Sequence, residues 1–71
     1  MHLKNTLKWQ VANQIKKWRM KKKLTQEILA EKAGFHYKYY QKVEAGTVNL
    51  TLDSIERIAI ALSTRPKNFF K

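Results

Sequence analysis

Leu24-Thr25-Gln26-Glu27-Ile28-Leu29-Ala30-Glu31-Lys32-Ala33-Gly34, followed without interruption by Phe35-His36-Tyr37-Lys38-Tyr39-Tyr40-Gln41-Lys42-Val43-Glu44-Ala45-Gly46, is the stretch on which the fold turns. The Thr25 hydroxyl can accept a hydrogen bond from a first-turn N–H, and Glu27 suits the positive end of a helix dipole. Leu29, Ala30 and Ala33 form the inner face of that short helix, and Gly34 supplies the left-handed residue that ends it. Phe35, Tyr39, Tyr40 and Val43 are spaced for a further helix, with Gly46 as its stop. Two short helices crossing at a wide angle through a tight turn impose three demands. The first needs a small residue at the crossing, met by Ala30. The turn needs a positive φ, met by Gly34. The second must bury a residue one turn before its end, met by Val43.

Outward from this pair, helical periodicity continues on both sides. Leu3, Leu7, Val11, Ile15 and Trp18 recur at four and three residues, which predicts a helix from Val11 to Lys22 that Leu3 to Gln10 can extend. Trp9 lies nearly opposite Leu7 at about 100° per residue, so either the chain bends before Val11 or Trp9 and Met20 form an exposed apolar spot. After a loop from Thr47 to Leu50, Thr51 caps a fourth helix with Asp53 in its first turn. Leu52, Ile55, Ile58, Ala59 and Leu62 line one face of it, and Ile60 points off that face as a candidate subunit contact. Ser63, Thr64 and Arg65 break the helix. Pro66 can then open a fifth, one-turn helix that buries Phe69 or Phe70. No segment alternates as a half-buried strand does, so the expectation is all-α: five short helices without an internal repeat.

The 71 residues carry 15 Lys and Arg against 5 Asp and Glu, a formal charge of +10. A chain of this length is one domain, marginal alone and expected to seek a partner. The charge is uneven. Residues 1–23 hold eight basic and no acidic side chains (+8), residues 24–63 four basic against five acidic (−1), and residues 64–71 three basic (+3). Two basic ends around a near-neutral middle suit a polyanion, although a solvated lysine-rich surface is the plainer reading. Cysteine is absent and His2 and His36 are the only imidazoles, so no metal site and no cofactor are expected. No apolar run approaches the roughly 20 residues that span a bilayer, and no signal peptide is apparent, which together suggest a cytoplasmic protein. Ser54 and Ser63 have no His and acid arranged beside them, so an enzyme is not expected.

The run Leu24-Thr25-Gln26-Glu27-x-Leu29-Ala30-Glu31-Lys32-Ala33-Gly34, then Val43-Glu44-x-Gly46, Asn49 and Thr51-Leu52, resembles the Cro/repressor (Xre-type) helix-turn-helix family. The likeness runs from about Val11 to Phe70, which leaves residues 1–10 as a basic lead-in and 11–71 as the domain. The segment Val48-Asn49-Leu50-Thr51-Leu52 and the small size also resemble controller proteins of restriction–modification systems and small phage-type regulators. The resemblance implies a compact five-helix repressor-like domain acting as a homodimer on an inverted-repeat operator to regulate transcription. It implies that Gln26 contacts a phosphate and braces the recognition helix, and that Tyr37, Lys38, Gln41 and Lys42 read base edges. It further implies a backbone contact at Asn49 and a structural ion pair between Arg19 and Glu44. The chain departs from the pattern at His36 (usually a Ser or Thr cap), Tyr40 (usually aliphatic), Leu50 (often Pro) and Ser63-Thr64 (a Gly–apolar pair).

The residue chemistry is compatible with these roles. A helix N-terminus offers free N–H groups to phosphate, and Gln26 adds an amide donor. Lysine can donate to guanine O6 and N7, and glutamine can pair with adenine N6 and N7. His36, the Tyr39 hydroxyl, Lys22 and Lys23 are further phosphate candidates, whereas Tyr40 is expected in the core. The leading expectation is thus a sequence-specific regulator of double-stranded DNA needing no small-molecule ligand. An antitoxin or adaptor held to a protein through Trp9, Met20 or Ile60 is the alternative. A third reading is RNA or an anionic membrane bound with little base preference by the basic Lys4–Lys23 helix; the placement of Trp9 and Met20 among its lysines argues against the membrane.

Overall fold

The computed structural model describes residues 7–71, and the expectations for Leu3 and the rest of the lead-in before Leu7 lie outside the described residues. Four α-helices follow one another: α1 (Leu7–Lys21), α2 (Gln26–Ala33), α3 (Tyr37–Ala45) and α4 (Leu52–Ala61), then a 3-10 turn at Pro66–Phe69. The described residues contain no strand. The architecture is all-α with four helices, and the expected fifth is only that turn. Its four residues close short bonds, Asn68 N–H to Arg65 O at 2.9 Å and Phe70 N–H to Lys67 O at 3.1 Å, the tighter i to i+3 geometry of a 3-10 segment.

Local chemistry sets most boundaries. The Thr25 hydroxyl accepts from Ile28 N–H at 3.1 Å and the Thr51 hydroxyl from Ser54 N–H at 3.0 Å, each filling a donor that the helix start leaves open. Gly34 and Gly46 close α2 and α3 at φ of 79° and 74°. The other two helices end without glycine: Lys23 and Ser63 take φ of 59° and 54°, a conformation that costs a side-chain-bearing residue about 1–2 kcal/mol. Ser54 is buried and bonded to the Thr51 hydroxyl, so its role is in this cap.

α1 packs on α3 and the terminal turn, α2 on α3 and α4, and α4 on the turn. Ile15, Leu29, Tyr40, Val43, Ile58, Leu62 and Phe69 fill the space between them and are fully buried. Each such aliphatic or aromatic side chain contributes about 1.5–3 kcal/mol by leaving water. Ala30 is buried beneath the α2–α3 crossing.

Three expectations need correction, those for Phe35, Leu52 and Leu7. α1 begins at Leu7 and runs unbroken past Val11, so of the two alternatives for Trp9 the bend falls, and Trp9 and Met20 are both exposed. Trp9 is 45% exposed, yet a Cβ placed on Gly46 would lie 3.4 Å from its backbone and ring, so its inner side covers the end of α3. Phe35 lies in the turn before α3, where it stacks obliquely on Tyr39 at 5.3 Å between centroids. Leu52 is 84% exposed, because the first turn of α4 overhangs the core and borders a groove with Ile55, Pro66 and Phe70. Leu7 is exposed too and lines an adjoining groove with Asn49, Leu50 and Phe70.

Candidate nucleic-acid interface

α3 has two faces made of different residues. Tyr40 and Val43 are buried, whereas Tyr37, Lys38, Gln41 and Lys42 are exposed. The exposed four sit at positions i, i+1, i+4 and i+5, which form a continuous strip on a helix. His36 occupies the N-cap in an extended conformation, and its side chain makes no cap bond. The first N–H groups of α3 therefore keep no intrahelical or capping partner and remain available to an anion.

Behind this strip, one carboxylate holds the helices together. Arg19 donates from Nε to Glu44 Oε2 at 2.6 Å and from Nη2 to Oε1 at 3.2 Å. Gln26 Nε2 donates to Glu44 Oε1 at 3.0 Å, and the Tyr40 hydroxyl donates to Oε2. Arg19 Nη1 also bonds Leu24 O at 2.6 Å, so α1, the α1–α2 turn, α2 and α3 meet at a side chain only 3% exposed. Burial pushes the Glu44 carboxyl up, but the bonds from Arg19, Tyr40 and Gln26 and the charge of Arg19 more than reverse it, leaving its pKa below the usual glutamate value. Burial and the bond to Glu44 push the Tyr40 phenol far up, so it stays a donor.

Gln26 is half-buried with one N–H of its amide committed to Glu44, which leaves the other for a ligand. Tyr39 is half-buried against Phe35, and His36 is exposed at the start of α3. Lys22 and Lys23 are exposed just after α1, with Lys22 Nζ 6.0 Å from the Trp18 ring. Asn49 is exposed on the α3–α4 loop, bordering the groove shared with Leu7 and Phe70.

Arg57 was not legible as a site residue. Its guanidinium reaches from α4 to the α2–α3 turn, where Nε bonds Ala33 O at 3.0 Å and Nη2 bonds Gly34 O at 2.7 Å. Only its helical spacing to Asp53 can be read locally, and that pair stands 3.7 Å apart.

Comparison with known proteins agrees with this geometry. The chain matches the helix-turn-helix family over residues 15–68. It is 42% identical over 48 residues to the control protein C.BamHI of Bacillus amyloliquefaciens, a match covering 68% of this chain and 59% of that protein. Its fold matches the restriction-modification controller protein C.AhdI of Aeromonas hydrophila with a TM-score of 0.86 and 32% identity, over 89% of this chain and 96% of that one. It also matches the hypothetical transcription factor NHTF from Neisseria with a TM-score of 0.89 and 27% identity, over 100% and 82% of the two chains. No helix among the described residues is long and apolar enough to cross a membrane. With its two short helices, left-handed glycine turn and buried arginine–glutamate pair, the chain belongs to the Xre-type helix-turn-helix family of transcription regulators and controller proteins.

Proposed function

We propose that this chain regulates transcription as a homodimer that reads an inverted repeat in double-stranded DNA. The observation that carries the reading is the exposed strip of Tyr37, Lys38, Gln41 and Lys42 on a helix whose opposite face is locked by Glu44. α3 enters the major groove, where Lys38, Gln41 and Lys42 meet base edges and Tyr37 packs against a thymine methyl or a phosphate. Gln26, His36, Tyr39, Asn49, Lys22 and Lys23 hold the backbone on either side. The net charge of +10 supplies the long-range attraction.

The face we assign to the second copy is the outer stripe of α4. Leu52, Glu56 and Ile60 recur every fourth residue there and all are exposed, with Phe70 beside Leu52. Residues 52–61 carry Asp53 and Glu56 against Arg57 alone, so two strongly basic molecules can approach through this surface with little repulsion. To read the two half-sites of an inverted repeat, the pairing must set the two copies of α3 about 34 Å apart, one turn of duplex.

The test is selection of bound duplexes from a random pool by the purified chain at about 150 mM salt, where nonspecific binding is weak. Enrichment of an inverted repeat with half-sites about 10 base pairs apart is the expected result. Retention of DNA without enrichment would mean that charge alone holds it, and the protein-partner reading would take precedence.

A further inference from the structure

The unassigned contact with the most to say is the one Arg57 makes across the α2–α3 turn. The last carbonyls of a helix have no intrahelical donor. At the end of α2, Gly34 N–H and Phe35 N–H return to Glu31 O and Ala30 O. Two carbonyls further on, Ala33 O and Gly34 O, are taken by Arg57 Nε and Nη2 at 3.0 and 2.7 Å. The cation also sits at the negative end of the α2 dipole. Its planar group lies 4.4 Å from the centre of the Phe35 ring, and Phe35 in turn stacks on Tyr39 of α3. The remaining guanidinium nitrogen, Nη1, lies 3.7 Å from the exposed Asp53 carboxylate one turn earlier in α4. A continuous chain of contacts therefore leads from α4 through the turn to the first half of α3.

We propose that Arg57 is a positioning residue for base discrimination, fixing the angle at which α3 leaves the turn. This inference rests on the DNA-reading function proposed above. A planar group with donors at fixed separation grips two adjacent carbonyls and a ring face together, and a lysine ammonium cannot do all three. Gly34 belongs to the same device, since a Cβ there would lie 2.6 Å from Arg57 Nη2. A helix whose exit angle wavers still attracts phosphate, because that attraction depends on total charge, but it blurs contacts that need base edges in register.

The experiment compares the wild-type chain with Arg57→Lys and Arg57→Met, titrated against the duplex that the wild type selects and against a scrambled duplex, over a range of salt. Amide hydrogen exchange of α3 relative to α1 is followed in the free proteins. Arg57→Lys keeps the charge, and with an unchanged circular dichroism it should lower the ratio of specific to scrambled affinity about 10-fold while scrambled binding and its salt slope stay unchanged. α3 amides should exchange faster in both variants while those of α1 hold. Equal losses on both duplexes in Arg57→Met, with the salt slope reduced by about 1, would make Arg57 a phosphate contact and overturn the proposal. Unchanged α3 exchange or unchanged discrimination in Arg57→Lys would overturn it as well. Failure of the wild-type chain to prefer any duplex would sink the DNA-reading function itself, a result recognisable without either variant.

Discussion

Arg19 Nε donates to Glu44 Oε2 at 2.6 Å, joining two helices through residues 25 positions apart. The side chains are 13% and 3% exposed, so neither charge is satisfied by water once its partner is gone. Arg19→Met should destabilise the domain by roughly 3–5 kcal/mol, since it leaves the Glu44 carboxylate without a counter-charge and with only the neutral donors Gln26 and Tyr40. Arg19→Met combined with Glu44→Met should cost clearly less than the two single changes added together. Urea unfolding of the three variants measures this, and strictly additive losses would show that the pair does not act as a unit.

The same carboxylate gives the stability a defined pH dependence. Its folded pKa lies below the ordinary value of 4.5, so the folded state holds the charged form more tightly than the unfolded chain does. The contribution is therefore full above pH 4.5 and is lost as the pH falls through the lower folded pKa. Urea midpoints between pH 3 and 7 should fall at the acid end for the wild type and more shallowly for Glu44→Gln. Identical acid limbs for the two proteins would count against the assignment.

Lys42 and Lys22 are both exposed lysines, but they stand in different places. Lys42→Ala should relax base preference at one position of the selected site. Lys22→Ala should weaken binding evenly across sequences and reduce the salt slope by about 1. Competition titrations with single-base variants of the site separate the two. Matching effects from both changes would remove the recognition strip from α3.

Ile60 is 73% exposed in the middle of the outer stripe of α4. Ile60→Glu should leave the circular dichroism unchanged, because the side chain is outside the core. It should shift the sedimentation coefficient to that of a monomer and weaken binding to the inverted repeat more than to a single half-site. A variant that sediments like the wild type would place the second copy elsewhere.

Much of this architecture is written in short-range chemistry, and those parts are legible without coordinates. Thr25, Thr51, Gly34 and Gly46 mark helix ends through bonds to residues within a few positions. The buried α2 set of Leu29, Ala30 and Ala33 follows from spacing alone. Leu52 and Leu7 are exposed although they fall on apolar stripes, because periodicity reports which side of a helix is apolar, not how far the core extends along it. The links from Arg57 to Ala33 and from Gln26 to Glu44 span 24 and 18 residues, and no local pattern encodes them. The Arg19–Glu44 pair was anticipated through family resemblance rather than spacing. Tyr40 is expected inside, and its acceptor Glu44 stands one turn on in the same helix; what local spacing does not show is that Arg19 of α1 and Gln26 of α2 converge on that carboxylate.

The base-facing strip of α3 and its core residues are distinct: Tyr40, Val43 and Glu44 serve the interior, Tyr37, Lys38, Gln41 and Lys42 face outward, and half-buried Tyr39 lies between the two sets. Substitutions at exposed positions without structural partners usually change stability by less than about 0.5 kcal/mol. Preference for one DNA sequence and integrity of the domain can thus vary independently. Under the DNA-reading function proposed above, a gene encoding this chain can drift to a new target by a handful of tolerated codon changes with the scaffold kept, and two descendants can come to ignore each other's sites.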